Sequence, residues 1–159
     1  MPGSGKSYIG KKLAKDLGYK LIELDKIMEE NFKLPLQQIL DKIGERAFLE
    51  EQEKDAILCT SYTDTENSLV VSPGGSIVYS EKAMRHLKKV SKIIYLKISL
   101  DVVKKRIAET PRGIVGIKEK TLEQLYKERT LLYEKWADVI LDAEREASEI
   151  IEDIRKQIR

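Results

Sequence analysis

Gly3-Ser4-Gly5-Lys6-Ser7 opens the chain and runs directly into an amphipathic stretch, about Ser7 to Leu17, whose Ile9, Leu13 and Leu17 fall on one helical face before Gly18. The pentapeptide matches the end of the pattern G-x-x-x-x-G-K-[ST], and each part has a physical use. Glycines let consecutive backbone N–H groups turn toward phosphate oxygens, and the helix N-terminus adds positive potential. Lys6 supplies a point charge for the outer phosphates and Ser7 a hydroxyl that can ligate magnesium. The same residues also read as a glycine-rich tail. A match of this kind arises by chance in about one chain in a hundred, and its position before a good helix favours the phosphate loop.

The 159 residues suit one domain with one buried core. Apolar residues make up 42% and charged residues 35%, with 29 Lys and Arg against 27 Asp and Glu, so the net charge is +2. A balance this even gives no electrostatic argument for nucleic-acid or membrane partners. No apolar run approaches the roughly 18 residues of a membrane span, and a cytoplasmic location is the expectation. With a single cysteine, Cys59, and a single histidine, His86, the chain lacks the partners for Cys/His zinc sites, Ser-His-Asp triads and Cys-His dyads. Carboxylate, Arg, Lys and hydroxyl chemistry remains.

Short β-rich runs at Lys20 to Asp25, Ser68 to Ser72, Lys92 to Ile98 and Ala137 to Leu141 alternate with helical stretches. A second helix is predicted over Leu36 to Ile43 and a third over about 45–59. Others fall near 80–89, 100–109, 120–136 and 144–158 by the same spacing of apolar residues. This alternation predicts an α/β fold of three layers, α/β/α, around a parallel sheet. Thr60 to Asn67 reads as a surface loop. Thr110 to Lys118, broken by Pro111, Gly113 and Gly116, reads as a candidate lid. A strand normally feeds a phosphate loop, and here the first glycine of the pattern would precede Met1. The expectation is therefore that about eight to ten residues, including that strand, are missing from the N-terminus.

Taken in order, the motifs resemble those of the shikimate kinases, in the nucleoside-monophosphate-kinase-like group of phosphate-loop proteins. Leu36-x-x-Ile39-Leu40-x-x-x-Gly44-Glu45-x-x-Phe48 is similar to the family's I-x-x-I-F-x-x-x-G-E-x-x-F segment. Ser72-Pro73-Gly74-Gly75-Ser76 falls where the family has a glycine-rich substrate loop, and Arg129-Thr130-Leu131-Leu132-Tyr133, followed by Ala137-Asp138, resembles R-x-P-L-Y-x-x-x-A-D. The resemblance implies a five-stranded parallel sheet, with the first strand absent from this sequence, and a lid closing over the nucleotide. It also implies transfer of the ATP γ-phosphate to a hydroxyl of a small carboxylated ring, with magnesium, in aromatic amino acid biosynthesis.

The implied roles attach to individual residues. Asp25 stands at the second Asp of the family's D-x-D motif, where it orients and deprotonates the attacking hydroxyl; it also suits a helix N-cap. Glu23 stands at the first Asp and reaches magnesium through water, with a solvated strand-edge Glu as the alternative. Arg112 matches the lid Arg that neutralises the transferring phosphoryl group. Arg106 aligns with an Arg that stacks on adenine, or is an ordinary helical Arg. Arg129 matches the Arg that grips the substrate carboxylate, which a planar fork suits. Gly74 and Gly75 allow close backbone approach to the substrate, or are turn glycines.

Several positions depart from the pattern, among them Pro73, which stands where the family has a hydroxyl residue before the first glycine, with Ser72 displaced by one. The family's F-R-x-x-E is Phe48-Leu49-Glu50-Glu51-Gln52, and the third glycine of the substrate loop is Ser76. Losing a bidentate Arg–carboxylate contact, about 1.5–3 kcal/mol, weakens binding roughly tenfold to more than a hundredfold. Arg46, three residues before Leu49, is the candidate replacement; otherwise it is an exposed helical Arg. The expected protein is a monomeric, ATP-dependent kinase of shikimate kinase type that binds a small hydroxylated, carboxylated substrate. The alternatives are a related kinase with another small-molecule or nucleotide acceptor, and an inactive ATP-binding module.

Overall fold

Two pairs of parallel strands carry the fold. The computed structural model describes residues 1–61, 68–109 and 113–158. Along the chain run α1 (Lys6–Leu17), β1 (Lys20–Glu23), α2 (Leu24–Phe32), α3 (Leu36–Ser61), β2 (Leu69–Ser72), a 3-10 turn (Gly75–Tyr79), α4 (Glu81–Val90), β3 (Ile94–Lys97), α5 (Leu100–Glu109), α6 (Leu122–Trp136), β4 (Val139–Asp142) and α7 (Ala147–Ile158). β1 pairs with β2, and β3 with β4. Every connection between paired strands passes through helices, as parallel pairing requires. Among the described residues there are thus four strands in two parallel pairs, where the resemblance implies five in one sheet. An apolar cavity of about 600 Å³, lined by Leu13, Val70, Val71, Ile94, Leu96 and Ile154, lies between β2 and β3 and extends to Ser4, Lys6, Gly74 and Gly75.

Local sequence explains the element ends. α1 closes at Gly18, whose φ of 69° is easily reached without a Cβ, and Gly18 and Tyr19 both donate to the Ala14 carbonyl. α6 opens with a capping box: the Thr121 hydroxyl accepts from the Gln124 amide, and the Gln124 side chain accepts from the Thr121 amide. Ser80 caps α4 by accepting from the Ala83 amide.

The helices predicted over 36–43 and about 45–59 lie on either side of Gly44, whose φ of 78° and ψ of 164° interrupt the helix inside α3. One expectation is corrected. The run predicted as strand through Asp25 stops at Glu23, and Asp25 lies in the first turn of α2. The loop predicted from Thr60 falls mainly on 62–67, outside the described residues, and its first two residues end α3.

The main core joins Ile9, Leu13, Met84, Val103, Ile150 and Ile154, on helices that flank both strand pairs. A satellite core holds Met28, Ile39, Leu40, Phe48 and Val115, with Leu49 packed at its edge. It ties α2 and the first half of α3 to the turn before α6. Among the described residues no helix is long and apolar enough to cross a membrane.

Candidate active site

Strand register decides what meets what. Glu23 pairs with Ser72 at the carboxyl ends of β1 and β2. The residues that follow each strand therefore emerge side by side, at the strand ends where open α/β sheets bind ligands. Asp25 and Gly74 are those residues. A Cβ built on Gly74 would sit 2.6 Å from Asp25 Oδ1 and against Gln52 Nε2, so any larger residue would have to displace one of these side-chain ends.

The phosphate loop is shaped by Gly3 and Gly5, with φ of 76° and 86°. Nothing lies within 4 Å of the position a Gly5 Cβ would take. α1 begins without a side-chain cap and without an acidic residue in its first turn, which leaves its leading amides to an anion. Ser4 is buried and its hydroxyl has no hydrogen-bond partner among the described residues. An unsatisfied buried hydroxyl in a loop of phosphate-binding shape fits an oxygen-rich ligand. Lys6 Nζ donates to the Met1 carbonyl at 3.4 Å.

Arg106 braces this loop. Its Nη1 donates to the Gly3 carbonyl at 2.6 Å, and its Cβ would lie 3.1 Å from a Cβ on Gly3. The sequence offered this Arg as an adenine-stacking group; the contact with the loop backbone spans 103 residues and had no local signal.

Ser7 and Glu23 are brought together. Burial raises the Glu23 carboxyl pKa, but hydrogen bonds from Lys26 and Ser7 and the charges of Lys26 and Lys11 outweigh it, so the net shift is downward. Lys26 Nζ contacts the carboxylate directly, and Lys11 Nζ lies 3.9 Å away. A serine hydroxyl and an ionised carboxylate are hard oxygen donors of the kind magnesium takes alongside phosphate oxygens and water. Among the described residues no group of three or more His, Cys, Asp or Glu could hold a metal unaided.

Across from Asp25, Gln52 is 4% exposed, and its Oε1 accepts from the Ser76 hydroxyl at 2.6 Å. The next residue of the loop, Gly75, is pinned by Tyr133, whose hydroxyl donates to the Gly75 carbonyl at 2.7 Å. Burial pushes the Tyr133 hydroxyl pKa far up, so it remains a donor. Arg129, 1% exposed, donates from Nη2 to the Val115 carbonyl at 2.7 Å and from Nε to the Tyr79 hydroxyl at 3.2 Å. Its Nη1 would lie 3.6 Å from a Cβ on Gly75. Arg129 thus stands under the glycine loop, on the opposite flank from Asp25 and Gln52.

The described part of the candidate lid, residues 113–118, rests on α3. The Gly116 amide donates to Glu45 Oε1 at 2.6 Å, Lys118 pairs with Asp41 at 3.2 Å, and Val115 enters the satellite core. Glu45 follows the helix-breaking Gly44, so the motif's Gly-Glu pair both bends α3 and anchors this turn. Arg112 lies outside the described residues.

Arg46 does not join the site. Its side chain is 94% exposed and its Nε pairs with Glu50 Oε1 at 3.0 Å along the solvent face of α3. The expectation that it replaces the Arg lost at Leu49 is corrected accordingly: the helix turns it outward. Gln52, Ser76, Tyr133 and Glu45 were visible only as motif positions, because each acts through a partner at least 24 residues away.

Comparison with known proteins gives a consistent picture. A family model described as Shikimate kinase matches residues 2–159. A shikimate kinase from a Sulfurihydrogenibium species is 31% identical over 161 residues, covering 99% of this chain and 93% of that protein. The structure of shikimate kinase from Aquifex aeolicus aligns with a TM-score of 0.78 at 25% identity, over 99% of this chain and 91% of that one. A shikimate kinase from Acinetobacter baumannii in complex with shikimate aligns with a TM-score of 0.84 over 98% and 87%; at 24% identity it speaks for the fold.

Proposed function

The chain belongs to the shikimate kinase family, and from that premise we propose that it is a phosphotransferase that moves the γ-phosphoryl group of ATP to a hydroxyl of shikimate. The hydroxyl oxygen forms the new P–O bond as the bond between the γ-phosphorus and the β,γ-bridging oxygen breaks. ADP and shikimate 3-phosphate result. One observation carries this reading: Asp25 lies beside Gly74 and Arg129 beside Gly75 at adjacent strand ends, and both glycines line one cavity with Ser4 and Lys6 of the phosphate loop.

The loop amides and Lys6 bind and orient the phosphates, and Arg106 keeps the Gly3 carbonyl turned away from them. Asp25 accepts the proton of the attacking hydroxyl. Arg129 directs positive charge at the acceptor's carboxylate from below Gly75, and Arg112 supplies charge from the lid. Ser7 and Glu23 are the residues that would hold magnesium, which, when bound, neutralises charge on the transferring phosphates. Gly74 and Gly75 let the acceptor approach the backbone. Positioning and charge neutralisation supply most of the acceleration in such transfers, and this inventory provides both. A monomer in the cytoplasm, with no nucleic-acid or membrane partner, belongs to the same proposal.

The test is acceptor-dependent ADP release with ATP, magnesium and shikimate over a wide concentration range. Saturable turnover supports the reading; ATP binding without shikimate-dependent turnover overturns it. A second reading keeps the chemistry with a less anionic acceptor. It is favoured by Leu49, which stands in place of the family's substrate Arg and packs on the satellite core. Turnover of an uncharged polyol but not of shikimate would establish it.

A further inference from the structure

Two of the departures from the family pattern touch each other. Ser76 replaces a glycine and Gln52 replaces a glutamate, and their side chains form a 2.6 Å hydrogen bond between buried residues. A serine hydroxyl has one proton to give, and here it goes to the carbonyl end of the amide. With Oε1 on Ser76, the Nε2 end of the amide lies beside Gly74, and Asp25 Oδ1 lies beside the same glycine. A glycine at 76 would leave the buried Oε1 without this donor and the amide free to turn over.

A third departure explains why residue 52 is neutral. In the pattern F-R-x-x-E the Arg and Glu are three residues apart on a helix, close enough to pair. Here the Arg is Leu49, packed on the satellite core. A glutamate at 52 would keep the Ser76 bond but turn its second oxygen toward Asp25 without a cation at position 49, setting two carboxylates against one glycine. A glutamine presents N–H there instead, which sets no second negative charge beside Asp25.

We propose that Gln52, locked by Ser76, is a positioning residue that holds the Asp25 carboxylate toward the acceptor hydroxyl, and that Leu49, Gln52 and Ser76 are one coupled set. This rests on the reading of Asp25 as proton acceptor, but the contact itself can be tested without turnover. Gln52→Glu is expected to lower the melting temperature at neutral pH by about 3–6 °C. Asp25→Asn in that background is expected to restore most of the loss, while giving a clearly different shift in the wild type. Equal effects of Asp25→Asn in both backgrounds overturn the proposal, whether or not shikimate is a substrate.

In the shikimate assay Gln52→Glu is expected to lower kcat on the order of tenfold or more, with the KM for ATP unchanged. Ser76→Gly, which adds no charge, is expected to lower kcat a few-fold, with Gln52→Glu the worse of the two. If Gln52 merely fills space, Gln52→Glu, which keeps its shape and the Ser76 bond, will be the milder variant, and that order sinks the proposal. If the wild type does not turn over shikimate, the functional reading fails, and the thermal cycle still decides the contact.

Discussion

Arg129 Nη2 donates to the Val115 carbonyl at 2.7 Å, which joins the middle of α6 to the turn that rests on α3. The same guanidinium reaches the Tyr79 hydroxyl and lies over its ring at 5.2 Å. One buried cation therefore fixes the turn, the segment after the glycine loop and the floor of the site. Arg129→Lys keeps the charge and loses the fork. The expected result is a KM for shikimate raised at least about tenfold, with a loss of stability of about 1–3 kcal/mol from the unsatisfied Val115 carbonyl. Steady-state kinetics and urea unfolding measure the two separately.

Lys6 is the phosphate-loop cation, and its Nζ donates to the Met1 carbonyl at 3.4 Å. Lys6→Met is expected to lower kcat by at least about 10²-fold, as removing one charge-stabilising donor does. The far-UV circular dichroism should not change. Full retained activity would remove Lys6 from the mechanism.

A methyl group on Gly74 would press on the side-chain ends of both Asp25 and Gln52. Gly74→Ala must push one of them aside. The expected outcome is a kcat reduced on the order of 10²-fold, the scale of a roughly 1 Å misplacement in a preorganised site. ATP binding, followed by calorimetry, should stay near wild type.

The Gly116 amide donates to Glu45 Oε1 at 2.6 Å, one of the polar ties of the described lid turn. Glu45→Ala should speed hydrogen exchange at Gly116 by at least about tenfold, for a local loss of about 1.5 kcal/mol. It should also raise the KM for ATP. Unchanged exchange at Gly116 would show that the Arg129 bond to Val115, the Lys118–Asp41 pair and the packing of Val115 hold the turn without Glu45.

The Glu23 carboxyl has its folded pKa below its ordinary value of 4.5. A depressed carboxylate contributes stability that is fully present above the unfolded pKa and is lost as pH falls through the folded one. Wild type should therefore lose stability faster than Glu23→Gln on acidification from about pH 5 downward. Parallel stability curves for the two proteins over that range would contradict the assigned partners, Lys26 and Ser7.

The alternation of helix and strand, the phosphate loop and the motif order were all legible along the chain, because each is written in neighbouring residues. Gly3 to Ser7 announced the loop, and apolar spacing placed α1, α4, α5, α6 and α7 near their observed positions. Asp25 was mislocated by one element, because Leu24 continues the apolar alternation of Leu21 and Ile22 and reads as strand until its packing in α2 is seen. The division at Gly44 was legible, because the apolar pattern changes at the residue where the backbone leaves the helix. Arg46 was a candidate by spacing, and only the orientation of α3 showed it turned to solvent.

The sequence by itself determined the chemistry on offer: a phosphate loop, carboxylates and arginines, no histidine or cysteine pair, and motifs in the order of one family. Tertiary structure decided who faces whom. The register of Glu23 with Ser72 set Asp25 beside Gly74, the Ser76 hydroxyl fixed the amide of Gln52, and Arg129 found partners 14 and 50 residues away. Such contacts depend on packed elements holding distant residues within hydrogen-bond range, and no local propensity or periodicity encodes them.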